Sequence, residues 1–286
     1  MKRLALISFC ISLLASTTFA DWTAPKWVQL PDVTTTGLDV RANSNVVLAD
    51  DFQCTEKGPI TDIHLWGSWL HDEPPQGEGG AGNVTFTLSI HADVPQGAPG
   101  GGNYSMPGAT LWQQTFSPGQ FAVRQYISGI AEGWYDPSTG EYQPSNPPQG
   151  GPPADTICWQ YNFLIDPREA FQQQGTPQIP KVYWLDVQAI VPQGENALFG
   201  WKTSMQHWND DAVWGTGVEP DVGGWQALKY PTGHPWENKS IDMAFVITPE
   251  PATILLLGIG GVAAFIRKGK ARNHSNYKEQ SVWPPS

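Results

Sequence analysis

The chain is poor in cysteine, in positive charge and in long apolar runs, and each shortage excludes something. Cysteine occurs three times in 286 residues. Cys10 lies in the first apolar run, so only Cys54 and Cys158 are left for the body of the protein. No CxxC pair and no zinc-type spacing is present, which removes the familiar thiolate metal sites and thioredoxin-like redox chemistry. In an oxidising compartment Cys54 and Cys158 are expected to form one disulfide across a long loop; the alternative is two separate buried thiols. Lys and Arg together number 16 against 27 Asp and Glu, a formal charge of −11. Seven of the basic residues lie in the two terminal segments, but only Glu250 and Glu279 of the acidic ones, so residues 21–248 carry about −16. A surface this acidic repels phosphate backbones, so nucleic acid is excluded as a partner, while divalent cations are attracted. The enzyme signatures G-x-S-x-G, phosphate loop and H-E-x-x-H are absent. His64, His71 and His91 could hold a metal only if folding gathered them.

Apolar runs are short and terminal. Lys2 and Arg3 precede an apolar stretch from Leu4 to Leu14, and Thr18-Phe19-Ala20 places small residues at a cleavage site before Asp21. This is the build of a secretory signal peptide over residues 1–20, cut between Ala20 and Asp21 after passage through the Sec translocon. At the other end, Ala252 to Ile266 is apolar or Gly apart from Thr253. A spanning helix needs about 20 such residues, and Gly258, Gly260 and Gly261 weaken this one further. Arg267, Lys268, Lys270 and Arg272 follow and hold their side in the cytoplasm. A short, weak helix with a basic stop suits transient membrane insertion. Residues 273–286 form a polar tail.

What is abundant is glycine (30), proline (26) and tryptophan (14). Long helical periodicity is missing, and alternation replaces it. In "NVTFTLSIHA" Val84, Phe86, Leu88 and Ile90 share one face; "DTICWQYNFLI" places Ile157, Trp159, Tyr161, Phe163 and Ile165 likewise. "KVYWLDVQAIV", "SIDMAFVIT", "PITDIHLWGSWL", "ATLWQQTF", "QFAVRQYI", "NALFGWKTS" and "GWQALKY" read as further strands. One short helix is expected in "DPREAFQQQG", with Asp166 capping, Pro167 first and Gly175 last. Pro/Gly-rich stretches such as "HDEPPQGEGGAGN" and "DPSTGEYQPSNPPQGGPP" read as long loops. The expected fold is all-β: a β-sandwich or jelly-roll-like domain over 21–248 with one short helix, flanked by the signal peptide and the C-terminal transmembrane helix 252–266.

Trp134, Trp208, Trp214, Trp225 and Trp236 fall in expected loops, where indole faces can stack on sugar rings. "MQHWNDDAVWGTG" is the most site-like stretch. Asp210 and Asp211 sit between Trp208 and Trp214, with His207 and Asn209 adding donors. Such a loop could hold Ca²⁺, although the D-x-D-x-D-G spacing is missing; turn and capping roles for Asn209 and Asp210 compete. Asp50-Asp51 is a similar pair.

Two resemblances follow from these residues. Pro249-Glu250-Pro251, an apolar helix and a basic cluster led by Arg267 and Lys268, in that order at the chain end, resemble the PEP-CTERM sorting signal of bacterial exported proteins, here spanning 249–272. The resemblance implies recognition and removal by an exosortase, and a link to exopolysaccharide, biofilm or surface assembly. "LADDFQC", "GPITDIHLWGSW", "EGWYDP", "WQYNFLIDP" and "FGWKTS…HWNDDAVW" are similar to an uncharacterised all-β family recurring in such proteins, which carries no catalytic residues to transfer. The expected function is non-enzymatic: an inner-membrane-anchored intermediate, then a surface or extracellular protein with weak binding to extracellular polysaccharide and no obligate cofactor. The alternatives are a polysaccharide-active hydrolase or lyase, and a purely structural coat protein.

Overall fold

A computed structural model of the chain describes residues 25–99, 101–217 and 223–248. The signal peptide with its Ala20–Asp21 junction, the motif Pro249-Glu250-Pro251, the helix 252–266, the basic pair Arg267 and Lys268 and the tail 273–286 lie outside the described residues. Within them no helix is long and apolar enough to cross a membrane.

The described residues are almost wholly strand and loop. In chain order the strands are β1 (Trp27–Gln29), β2 (Leu38–Arg41), β3 (Val46–Cys54), β4 (Lys57–Pro59), β5 (Asp62–Trp69), β6 (Thr85–Val94), β7 (Met106–Phe116), β8 (Ala122–Asp136) and β9 (Glu141–Gln143). They continue with β10 (Asp155–Leu164), β11 (Gln172–Gln174), β12 (Lys181–Ile190), β13 (Phe199–Ser204), β14 (Val213–Thr216), β15 (Gly223–Ala227), β16 (Asp242–Met243) and β17 (Phe245–Thr248). One sheet runs β15-β14-β3-β12-β6-β7, and a larger one runs β1-β17-β5-β10-β8-β2-β13-β16. All but one of the named pairings are antiparallel; β2 lies parallel to β8, with Leu38 opposite Gly133.

The alternating residues do what their period requires. Val84, Phe86, Leu88 and Ile90 are fully buried, as are Leu185 and Val187 from the same sheet and Leu65, Tyr161, Phe163, Phe199 and Phe245 from the other. These side chains form one core between the two sheets. Aromatic rings dominate it. Phe86 meets Tyr161, Phe163 and Phe199 edge-on at 5.0–5.3 Å, a geometry that aligns positive ring edges with negative faces.

The larger sheet also closes on itself. β5 pairs with β10, β10 with β8, β8 with β2, β2 with β13, and β13 returns to β5. Glycine permits the closure: a Cβ on Gly67 would lie 2.4 Å from the Gly200 carbonyl oxygen and within 2.6 Å of the Phe199 ring. The closed ring has a second face that the shared core does not use. Trp66, Cys158, Ala244 and Val246 are buried there, together with Asp39, Glu132 and Lys202.

Two sequence expectations are corrected. The stretch after Asp166 is a tight turn followed by β11, not a helix. The Asp166 carboxylate accepts from the Arg168 backbone and guanidinium, so it stays in the turn. Phe171 packs edge-on against Tyr183 at 5.0 Å, and its carbonyl accepts from the Ile60 amide. Gln173 is buried, and its side-chain carbonyl accepts a hydrogen bond from the Cys54 thiol. These contacts need an extended chain, and they override the local capping signal. The Cys54–Cys158 disulfide is also absent: both cysteines are free and buried. Cys54 ends β3 in the core between the sheets, whereas Cys158 points to the other face of β10. Burial pushes the Cys54 thiol up to about 12 and raises Cys158 as well, so neither is an available thiolate. Reductant should therefore leave the melting temperature unchanged; a drop of several degrees on adding dithiothreitol would refute the free-thiol state.

Candidate functional site

The loop 205–212, which carries the expected site residues, spans from the end of β13 to the start of β14. Its geometry is set by acceptors beneath it. Asp242, buried in β16, accepts from the Trp208 amide at 2.7 Å and meets His207 Nδ1 at 2.7 Å. Asn209 takes a left-handed backbone (φ 59°), which asparagine tolerates better than most residues, and donates its side-chain amide to Asp51. Asp210 accepts from Ser105, and Asp211 pairs with Lys229 at 2.6 Å and accepts from Ser240. Trp208 stands edge-on to Trp27 at 5.0 Å.

The structure thus unites two acidic stretches that are distant in sequence. Asp50 and Asp51 lie fully buried behind the loop, Asp50 accepting from the Met243 and Asp51 amides. Withdrawal from water raises the pKa of all three buried carboxyls. Asp51 is pushed up to about 8, with repulsion from Asp242, Asp210 and Asp93 adding to burial and the Asn209 bond opposing it. Asp242 rises to about 6, burial again outweighing its bonds from Trp208 and His207. Asp50 is raised by burial and then by Asp242 and Asp51. At neutral pH Asp51 therefore favours its protonated form.

Of the expected ligand residues, Trp208, Asp210 and Asp211 share this loop. Trp214 does not face it: it lies in β14 opposite Leu48 and packs on the core. Trp134 is buried in β8 and Trp225 sits in β15, so neither is a loop residue; Trp236 occupies a turn against Tyr230. The carboxylates of the loop are engaged by protein donors, and among the described residues no group of three or more His, Cys, Asp or Glu is arranged to hold a metal ion. The three histidines stay apart. His64 bonds Asp62 in the larger sheet, His71 meets Gln143, and His91 bonds Asp186 in the other sheet.

Two further features had no sequence signal. A hollow of about 330 Å³ lies before β13, lined by Leu70, His71, Glu73, Pro74, Glu195 and Asn196. It is at the opposite end of that strand from the 205–212 loop. The second is a buried ionic set inside the closed ring. Lys202 Nζ donates to Asp39 Oδ2 at 2.6 Å and to Glu132 Oε2, and all three side chains are at most 1% exposed. A lysine in a strand ordinarily marks a solvent face, so "FGWKTS" gives no hint of this.

Residues 25–248 match the family model described as Domain of unknown function (DUF7901), and the chain belongs to that family. The sorting signal is separate: residues 248–270 match the PEP-CTERM protein-sorting motif, which implies export, a membrane-anchored sorting intermediate and processing by an exosortase. No curated protein and no solved structure matches the chain.

Proposed function

We propose that this domain is a non-enzymatic, surface- or matrix-directed module of jelly-roll-like sandwich type that contacts extracellular polysaccharide weakly through the 205–212 loop. The observation that carries the reading is the edge-on Trp27–Trp208 pair beside a half-exposed His207 and an exposed Asn209. Partly covered indole next to amide and imidazole donors suits a ring that is apolar on its face and hydroxylated at its rim. The sorting motif supplies the setting, since export brings this loop to extracellular glycans; entry through the Sec translocon on signal peptide 1–20 belongs to the same proposal. A glycan array with the purified chain tests it. Trp208→Ala should weaken the bound glycan roughly 5–10-fold with the circular dichroism unchanged; a wild-type protein that binds no glycan leaves the structural coat reading in its place.

One observation favours the polysaccharide-active alternative. Asp51 and Asp242 have raised pKa values near neutrality, as a general acid requires. Release of reducing sugar by the wild type, lost in Asp242→Asn, would establish that alternative.

A further inference from the structure

Lys202 and Asp39 are direct cross-strand partners: Lys202 of β13 lies opposite Asp39 of β2 in the ladder. Their side chains meet at 2.6 Å with no exposure to solvent. Glu132, from the neighbouring β8, accepts from the same Nζ through Oε2. Its other oxygen, Oε1, is buried and has no hydrogen-bond partner among the described residues. An amine, a carboxyl group and a second carboxyl group are therefore held together, dry, in an exported domain that has no disulfide.

We propose that Lys202 and Asp39 join in an intramolecular isopeptide bond, with Glu132 as the proton relay. The ammonium proton passes from Lys202 to the Asp39 carboxylate, leaving a neutral amine and a neutral acid. The Nζ lone pair adds to Asp39 Cγ. One N–H proton moves through Glu132 to the departing hydroxyl, which leaves as water. The Nζ–Cγ bond forms, one N–H and the Cγ–OH bond break, nothing is oxidised or reduced, and Glu132 ends with the proton count it began with.

Three physical points bear on the step. The cross-strand register fixes amine against carbonyl, which converts a bimolecular encounter into an intramolecular one. Burial from bulk solvent favours a reaction that releases water and protects the amide formed. The electrostatics oppose the first transfer, because Asp39 and Glu132 hold the Lys202 proton tightly, and favour the relay. Burial raises both carboxyls, Glu132 to about 7 even though Lys202 opposes the rise. One lysine can offset one carboxylate, so the second carboxyl keeps its proton. Asp155, Asp72 and Asp32 add negative field to the set, and Cys158 and Ser68 border it. Asp39 is the acceptor because its short side chain is placed by direct strand pairing, whereas Glu132 reaches in from the next strand; each keeps one buried oxygen without a hydrogen-bond partner among the described residues.

The inference goes beyond the sugar-contact reading and does not rest on it. The test is a protease digest of the purified full chain followed by mass spectrometry. A branched peptide joining the Asp39 and Lys202 segments, lighter by one water than the two together, is the expected result. A wild-type digest in which both segments appear only as separate peptides overturns the proposal. In the soluble, folded fraction of Glu132→Gln the branch should disappear; its persistence there would overturn the relay role. The wild-type digest decides the bond without any variant.

Discussion

Lys202→Met should cost the domain about 4 kcal/mol or more in folding stability, read as a fall in melting temperature and denaturation midpoint. The side-chain volume is nearly kept, so the loss is electrostatic in origin. Removing the cation leaves Asp39 and Glu132 buried without compensation, and breaking one side of a buried ion pair typically costs about 3–5 kcal/mol. A covalent Lys202–Asp39 link would add to this. It closes a loop between positions 163 apart, for which chain entropy predicts roughly 5 kcal/mol in the cross-link treatment used for disulfides. The defect should shrink in mild acid, where both orphaned carboxyls can be protonated. A variant as stable as wild type at pH 8 would show that the triad contributes nothing.

The second large effect is an inverted pH dependence. Glu132 sits at about 7, Asp155 and Asp51 at about 8 and Asp242 at about 6 in the folded chain, against roughly 4 for free carboxyls. In each case burial is the first cause. A folded pKa above the unfolded one means that the folded state binds more protons. The stabilisation is then complete below about pH 4 and is lost as pH rises through the folded values. Glu132 alone accounts for roughly 3 kcal/mol between the two limits. Asp136, whose carboxyl is held low by Ser138 and Arg41 against burial, works in the opposite direction only below the ordinary carboxylate range. The melting temperature should accordingly fall steadily from pH 5 to pH 8. A flat profile, or one rising toward pH 8, would mean these carboxyls are ionised and paired in the folded state.

Strand period was the most legible feature of this chain. Val84, Phe86, Leu88 and Ile90 alternate because one face of β6 meets a core and the other does not, and that is a local property. The turn after Asp166 was misread for the complementary reason: its capping residues are local, while the contacts of Phe171 and Gln173 that extend the chain come from β12, β3 and the segment before β5. The site was half legible. Clustered Asp and Trp marked loop 205–212, and Asp50-Asp51 was visible as a pair, but a bond between Asn209 and Asp51 spans 158 positions and no pattern of short range records it. Trp134 shows the limit for single residues. It lies in a Gly-flanked stretch that looks like a turn, yet it fills space against Gly200. Lys202 was invisible because alternation assigns it to solvent, and only closure of the larger sheet through Gly67 and Gly200 turns that face inward.

The end of β17 has a mechanical meaning. Thr248 closes the last strand, opposite Asp62, and its hydroxyl is tied to the Asp62 carboxylate at 2.8 Å; the sorting motif starts on the same residue. The last strand and the start of the sorting motif therefore share one residue. Every described strand ends at or before Thr248, so removing the segment that follows takes no strand from either sheet.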